Sequence, residues 1–219
     1  MKKSLSFLIT AALFFSLAGC ERKNHTSGSN LAGQADLKLA CTTEFLRGDG
    51  SSYLTKQEHE VFAKPKAIRL TAKEPFGEII WAVRNGRLVI EKSPKGDVFD
   101  EELYKLMTDE AICKALLELY LAELKPSDTG STEPTDGFAF EGKVYEPVFS
   151  DQGGIKLYKD KSTGRRDLVI SQNKKRYILF GYNYLKLKEG RYFPSKIDVY
   201  IYNEGSDKKL IAQYVCYLP

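Results

Sequence analysis

The chain has 219 residues, with 33 lysines and arginines against 29 aspartates and glutamates and a formal net charge of +4. A balance so close to neutral excludes the concentrated basic surface of a nucleic-acid binder, and the length suits one ordinary domain. With only two histidines, His25 and His59, there is almost nothing from which to build a Ser-His-Asp triad, a Cys-His pair or a His-Glu-x-x-His zinc site.

At the amino end, Lys2 and Lys3 precede an apolar run from Leu5 to Leu17, which ends in Leu17-Ala18-Gly19-Cys20. A charged start, an apolar stretch and small residues at the end make an export signal over residues 1–19. The run is shorter than the roughly 20 residues a helix needs to cross a bilayer, so the segment targets the chain rather than anchoring it. Leu-Ala-Gly-Cys resembles the lipobox of bacterial lipoproteins. That resemblance implies acylation of Cys20, by chains such as palmitate, as the first residue of the mature protein. More than one acyl chain is what stable anchoring requires. Loss of Lys2 and Lys3 from the 33 basic residues leaves 31 against 29 acidic ones.

Residues 20–36 are polar and small after Cys20 and read as a lipidated flexible tether, which leaves residues 37–219 as a single domain. Three cysteines remain: Cys41, Cys113 and Cys216. An oxidising compartment permits one disulfide and leaves one thiol, and the sequence does not choose among the pairings. Their spacing is not that of a metal site.

From Leu37 to Lys92 apolar and polar residues alternate, as in strands. Ile68, Leu70 and Ala72 oppose Arg69, Thr71 and Lys73, and Ile79, Trp81 and Val83 continue the pattern. Breaks at Arg47-Gly48-Asp49-Gly50, Glu74-Pro75-Phe76-Gly77 and Asn85-Gly86 make the order antiparallel, the last being a type I′ hairpin signal. Between Asp100 and Leu124 the period becomes helical. Asp100 is expected to cap a first helix and Thr108 a second. From Ala111 to Leu124 the second helix is apolar nearly all round, with Lys114 and Glu118 marking a narrow wet face, so it must be covered on several sides. Residues 125–137 read as a surface loop. Strands then return at Phe138 to Phe149, Ile155 to Tyr158, Leu168 to Ser171, Tyr177 to Leu187, Ile197 to Tyr202 and Leu210 to Leu218. In Tyr177 to Leu185 both parities are apolar or aromatic, so both faces of the sheet are shielded there.

Strands, helices, then strands is an α+β order. At this point the chain resembles the lipoprotein-localisation family, and its outer-membrane receptor branch (LolB-like) more than the soluble carrier (LolA-like). The likeness rests on Ala67-Ile68-Arg69-Leu70-Thr71, Pro75-Phe76-Gly77, Ile79-Ile80-Trp81-Ala82-Val83 and Gly86-Arg87-Leu88-Val89-Ile90. It continues through the helical pair to Phe180-Gly181-Tyr182 and Phe193-Pro194-Ser195-Lys196-Ile197-Asp198-Val199-Tyr200. The resemblance implies a strongly curved antiparallel sheet of about ten or eleven strands, a half-barrel covered by two or three helices. It implies a membrane-anchored protein that binds acyl chains of lipoproteins or lipids and passes them to the outer membrane, with a periplasmic carrier protein as a further partner. By the same resemblance Phe76 is the membrane-insertion loop residue. A Phe at the tip of a Pro/Gly turn gains by entering a bilayer in any case. Parity assigns Leu70, Trp81, Val83, Leu117, Leu121, Phe180 and Tyr182 to the cavity wall. By resemblance to envelope sorting rules, Glu21 rather than Asp after the lipidated Cys20 implies the outer membrane, facing the periplasm. The departure from the family is the polar stretch 21–36, which makes no strong first helix.

Asp128-Thr129-Gly130-Ser131 matches the aspartic-protease string, but it has no apolar flank and no second copy, and that chemistry needs two carboxylates sharing a proton. No catalytic residue, metal, cofactor or nucleic-acid partner is expected. The basic stretch from Lys156 to Arg176 reads as a solvated, edge-protecting face, or as a surface for anionic headgroups. The alternative function is a structural or interaction lipoprotein of the same fold, with a filled core and no ligand transfer.

Overall fold

A computed structural model describes residue 31 and residues 33–75, 77–93, 100–124, 138–150, 154–172, 176–187, 192–202 and 207–219. Cys20, Phe76 and Asp128 lie outside them, as does the loop 125–137.

Alternating residues become strands because the inward set has something to pack against. The first five run in chain order as β1 (Leu37–Leu46), β2 (Ser52–Phe62), β3 (Ala67–Glu74), β4 (Gly77–Arg84) and β5 (Arg87–Lys92). Leu39, Cys41, Thr43 and Phe45 of β1 are buried, as are Thr55, Gln57, His59 and Val61 of β2, while residues between them reach the surface. Asn85 and Gly86 join β4 to β5 with φ of 51° and 69°, the left-handed pair a type I′ turn demands.

Helix α1 (Glu101–Met107) is capped by Asp100, whose carboxylate accepts from Leu103 N at 3.0 Å. Helix α2 (Glu110–Leu124) is capped by Asp109 and not by Thr108: Asp109 Oδ1 accepts from Ala111 N at 2.9 Å and Ile112 N at 3.2 Å. Thr108 instead turns its hydroxyl back to Tyr104 O, 2.7 Å away, and so closes α1. Of the two or three helices expected, α2 is the one long enough to cover the sheet. The two-turn α1 adds Leu103 and Met107 to the core.

Seven strands follow: β6 (Phe138–Phe140), β7 (Lys143–Ser150), β8 (Ile155–Asp160), β9 (Leu168–Gln172), β10 (Arg176–Lys186), β11 (Tyr192–Tyr202) and β12 (Lys209–Tyr217). The single strand expected from Phe138 to Phe149 is a hairpin, turned at Glu141 and Gly142 with φ of 47° and 72°. Among the described residues, twelve strands form one open antiparallel sheet in the order β5-β4-β3-β2-β1-β12-β11-β10-β9-β8-β7-β6, so the expected ten or eleven were an undercount.

Twelve strands laid flat would spread over roughly 50 Å at the usual spacing, far wider than one helix of about 10 Å diameter. Yet α2 touches β2, β3, β4 and β5 from one half of the sheet and β8, β9, β10 and β11 from the other. The sheet therefore curls round the helix, and the apolar residues on nearly every side of α2 each find a strand. Ile112, Leu116, Leu119 and Tyr120 are fully buried as a result.

A second, smaller core lies on the opposite face. Phe140 of the edge strand β6 meets Phe180 of β10 and Tyr200 of β11, with ring centroids 5.5 and 5.8 Å apart. The edge hairpin thus folds back over the outer surface and shields it, as the apolar residues on both faces of β10 required. A register shift between Pro147 and Phe149 lets β7 serve both cores: Tyr145 packs in the outer one, Val148 and Phe149 against the inner one.

Gly181 of β10 lies tight against Pro194 of β11. A Cβ there would stand 2.7 Å from Pro194 Cβ and 2.9 Å from its Cγ, while the Gly181 amide donates to Asp167 O at 2.7 Å. Gly181→Ala is expected to cost about 1–3 kcal/mol of stability by overpacking a proline ring that cannot rotate away. Urea denaturation of the two chains measures it.

Candidate functional site

Between the curled sheet and α2, the centre is filled by rings. Phe45 meets Tyr214 edge-on at 6.3 Å, Tyr120 of α2 lies 5.2 Å from Phe193, and His59 sits between Tyr120 and Tyr214 at 5.9 and 5.8 Å. Cys41 and Cys216, directly opposed on β1 and β12, form a disulfide beside them, which settles the pairing left open by the sequence and leaves Cys113 as a buried thiol. Burial pushes the Cys113 thiol up to about 12, so it stays protonated and unreactive.

Open space begins where the rings end. A pocket of about 390 Å³ lies between the β4–β5 turn, β8 and the middle of α2, with Val83, Leu117 and Ile155 as its apolar lining. Its rim carries Lys66, Lys114 and Glu118. Lys66 pairs with Glu118 and lies 5.5 Å above the Phe149 ring, and Lys114 pairs with Glu110 at 2.7 Å. The narrow polar face of α2 is therefore the wet lip of an apolar opening. The volume falls within the roughly 300–1,000 Å³ common for small-molecule sites.

Five of the seven residues assigned by parity to a cavity wall, Leu70, Trp81, Val83, Leu117 and Leu121, do fall in one buried cluster. Leu70 and Trp81 are direct partners across β3 and β4. Val83 and Leu117 reach the pocket itself. Phe180 and Tyr182 are elsewhere: Tyr177 and Leu179 take the inward parity of β10, so Phe180 packs outward against Phe140 and stacks 5.6 Å from Tyr182. Tyr182 then donates to Asp198 Oδ1 at 3.2 Å. Sequence reasoning missed Lys66 and Ile155. Ile155 could have been found from its place at the head of a strand, whereas Lys66 sits in a turn with no pattern to betray it.

The outer face holds a pocket of about 370 Å³, lined by Phe138, Phe140, Ile170, Ile178 and Tyr202 with Lys208 at its edge. Lys208 is spoken for by Glu141 and by the rings of Phe140 and Tyr200, 4.4 and 5.1 Å away. Nearby, Lys143 reaches two buried carboxylates, Asp160 at 3.3 Å and Asp167 at 3.6 Å. Burial works to raise Asp160, but the Ser162 side chain and amide, with Lys143, outweigh it and hold the carboxyl below its ordinary range. Burial raises Asp167, which the Tyr184 hydroxyl, donating at 2.6 Å, only partly offsets. Lys143 thus ties the β8–β9 turn to β7, and the Tyr184 hydroxyl ties it to β10. The basic stretch 156–176 is partly engaged within the fold: Lys159 pairs with Glu146 at 2.8 Å, and Arg165 stacks 3.9 Å over Tyr184.

Among the described residues no helix is long and apolar enough to cross a membrane. The chain matches no protein-family model and no curated protein. Among solved structures, it is similar to a LolA-superfamily protein of Nitrosomonas europaea, at 10% identity over 84% of each chain with a TM-score of 0.52. Weaker likenesses are to an outer-membrane lipoprotein-sorting protein domain of Vibrio parahaemolyticus (12% identity, 82% of each chain, TM-score 0.38) and a DUF1329-family protein of Desulfovibrio piger (11%, 82% of each chain, TM-score 0.38). At such identities the first likeness speaks for architecture alone, and it agrees with the open curled sheet wrapped round one long helix. In its architecture, the chain is similar to this LolA-superfamily structure.

Proposed function

We propose that the chain is an envelope lipoprotein, anchored through acylated Cys20, that takes an acyl chain of a lipoprotein or lipid at the mouth between α2 and β4 and passes it to the outer membrane. The observation that carries this reading is the 390 Å³ opening with its floor of Val83, Leu117 and Ile155 and its lysine-bearing lip. Each methylene buried there gains about 0.8 kcal/mol, and a bilayer offers the same, so a chain can be held and then surrendered without covalent chemistry. Lys66 and Lys114 would meet the polar end of the ligand in water. Phe76, in the sequence Pro75-Phe76-Gly77, is the residue proposed to enter the bilayer at delivery.

The test is binding of a fluorescent palmitate analogue to the full chain made without lipid, as Cys20→Ala. Saturable binding is expected, and Leu117→Trp should weaken it at least tenfold by filling the opening, with the circular dichroism spectrum unchanged. Absence of saturable binding by the parent chain rules the reading out.

The filled aromatic centre favours a second reading, a scaffold of the same fold that docks an envelope partner and carries no ligand. It expects no probe uptake and no effect of Leu117→Trp beyond stability.

A further inference from the structure

The seam between β1 and β12 carries a feature that acyl-chain binding does not use. Cys41, Cys216 and His59 bring two sulfurs and one ring nitrogen within 4.8 Å of one another, all of them buried. His59 Nε2 faces Gln57 Oε1 at 2.9 Å. That oxygen only accepts, so the ring proton sits on Nε2 and the lone pair sits on Nδ1. Nδ1 points at Cys41 Sγ, 3.6 Å away, and takes the Tyr120 hydroxyl at 2.9 Å. The same hydroxyl lies 4.0 Å from Cys216 Sγ.

From these positions we propose that, when the Cys41–Cys216 disulfide is reduced, Cys41, Cys216 and the Nδ1 of His59 form a zinc site, with the Tyr120 oxygen at the fourth corner. A tetrahedral ion with Zn–S of about 2.3 Å and Zn–N of about 2.1 Å holds its sulfur and nitrogen about 3.6 Å apart, which is the Cys41–His59 separation already in place. Gln57 does for the imidazole what an outer-shell carbonyl does in established zinc sites: it fixes the tautomer and the ring. Two thiolates and a neutral imidazole leave Zn²⁺ with no net charge, and so without the large cost of an unbalanced ion in this interior. Soft sulfur donors with one imidazole also select zinc over magnesium or calcium.

A dithiol reductant gives two electrons and two protons to the disulfide and becomes a disulfide itself, leaving Cys41 and Cys216 as thiols. Zn²⁺ then displaces both thiol protons to solvent as the two Zn–S bonds and the Zn–N bond form. Metal would thus replace the covalent bond as the clasp between β1, β2, β12 and α2.

The experiment refolds the full chain under a phosphine reductant, which becomes its oxide and leaves no competing thiol, with one equivalent of Zn²⁺ or Co²⁺. The reduced chain is expected to retain one metal ion after gel filtration and the oxidised chain none. Co²⁺ should give a sulfur-to-metal charge-transfer band, and Zn²⁺ should raise the unfolding midpoint of the reduced chain alone. Gln57→Leu, which leaves every ligand in place, should lower zinc affinity about 10–100-fold. Cys113→Ser should leave it unchanged. Binding that survives the double replacement Cys41→Ser, Cys216→Ser, a Co²⁺ spectrum without the sulfur band, or a reduced chain that stays unfolded with zinc present would each overturn the proposal.

Discussion

Replacing Cys41 and Cys216 together by alanine is expected to lower stability by about 3–5 kcal/mol, the larger figure being the loop-closure entropy of a 175-residue separation. The bond joins residues directly opposite each other on neighbouring strands, so in the native sheet it orders little that the β1–β12 ladder does not already order. Its weight falls on the unfolded chain, which it prevents from exploring conformations with β1 and β12 apart. Guanidinium denaturation of the oxidised and doubly substituted chains gives the number. A difference below about 1 kcal/mol would show that the unfolded chain already keeps the two strands together.

Acid should weaken the protein through His59. Burial lowers its pKa to about 3, from 6.5 in the unfolded chain, and its neighbours are Gln57, Tyr120, Tyr214 and the disulfide, none of them an anion that could stabilise a charged ring. As pH falls below 6.5, the unfolded chain takes up a proton that the folded chain refuses. Stability from this group is therefore complete above pH 6.5 and is lost at about 1.4 kcal/mol per unit on the way down to pH 3. Between pH 6.5 and 4.5 the loss amounts to about 2–3 kcal/mol. Asp167, raised by burial, acts in the opposite sense as its carboxyl protonates, and Asp160, held low, adds its own loss only below the ordinary carboxylate range. The readout is the pH slope of denaturant stability in the parent chain minus that in His59→Gln. Equal slopes would sink the prediction.

Much of the architecture can be read from alternation and punctuation. The inward residues of β3 and β4, the Asn85-Gly86 turn, the Asp100 cap and the nearly all-apolar α2 follow from local rules, and they suffice to require a sheet curled round a helix. The rule failed where it became degenerate. In Tyr177 to Tyr182 both parities are apolar because both faces of β10 carry a core, so parity alone could not say that Leu179 faces α2 and Phe180 faces Phe140. The Glu141-Gly142 hairpin was hidden because glutamate seldom takes a positive φ, and Thr108 and Asp109 are both good caps, separable only by which carboxylate or hydroxyl reaches the amides. His59 is legible from the same alternation. Flanked by Glu58 and Glu60, it has to point to the opposite, inner face, where a polar ring requires partners.

Among the described residues of the sheet, β1 to β5 pair with their neighbours in sequence, and so do β6 to β12; the one long-distance pairing there is β1 with β12. Each meander can assemble quickly from adjacent hairpins, whereas joining them must wait for two distant segments to meet, a slow step by the relation between contact distance and rate. Until it does, β1 and β12 are two raw edges, ready to capture strands of other molecules. A newly made copy would spend that interval most vulnerable to clumping, and so most in need of a chaperone.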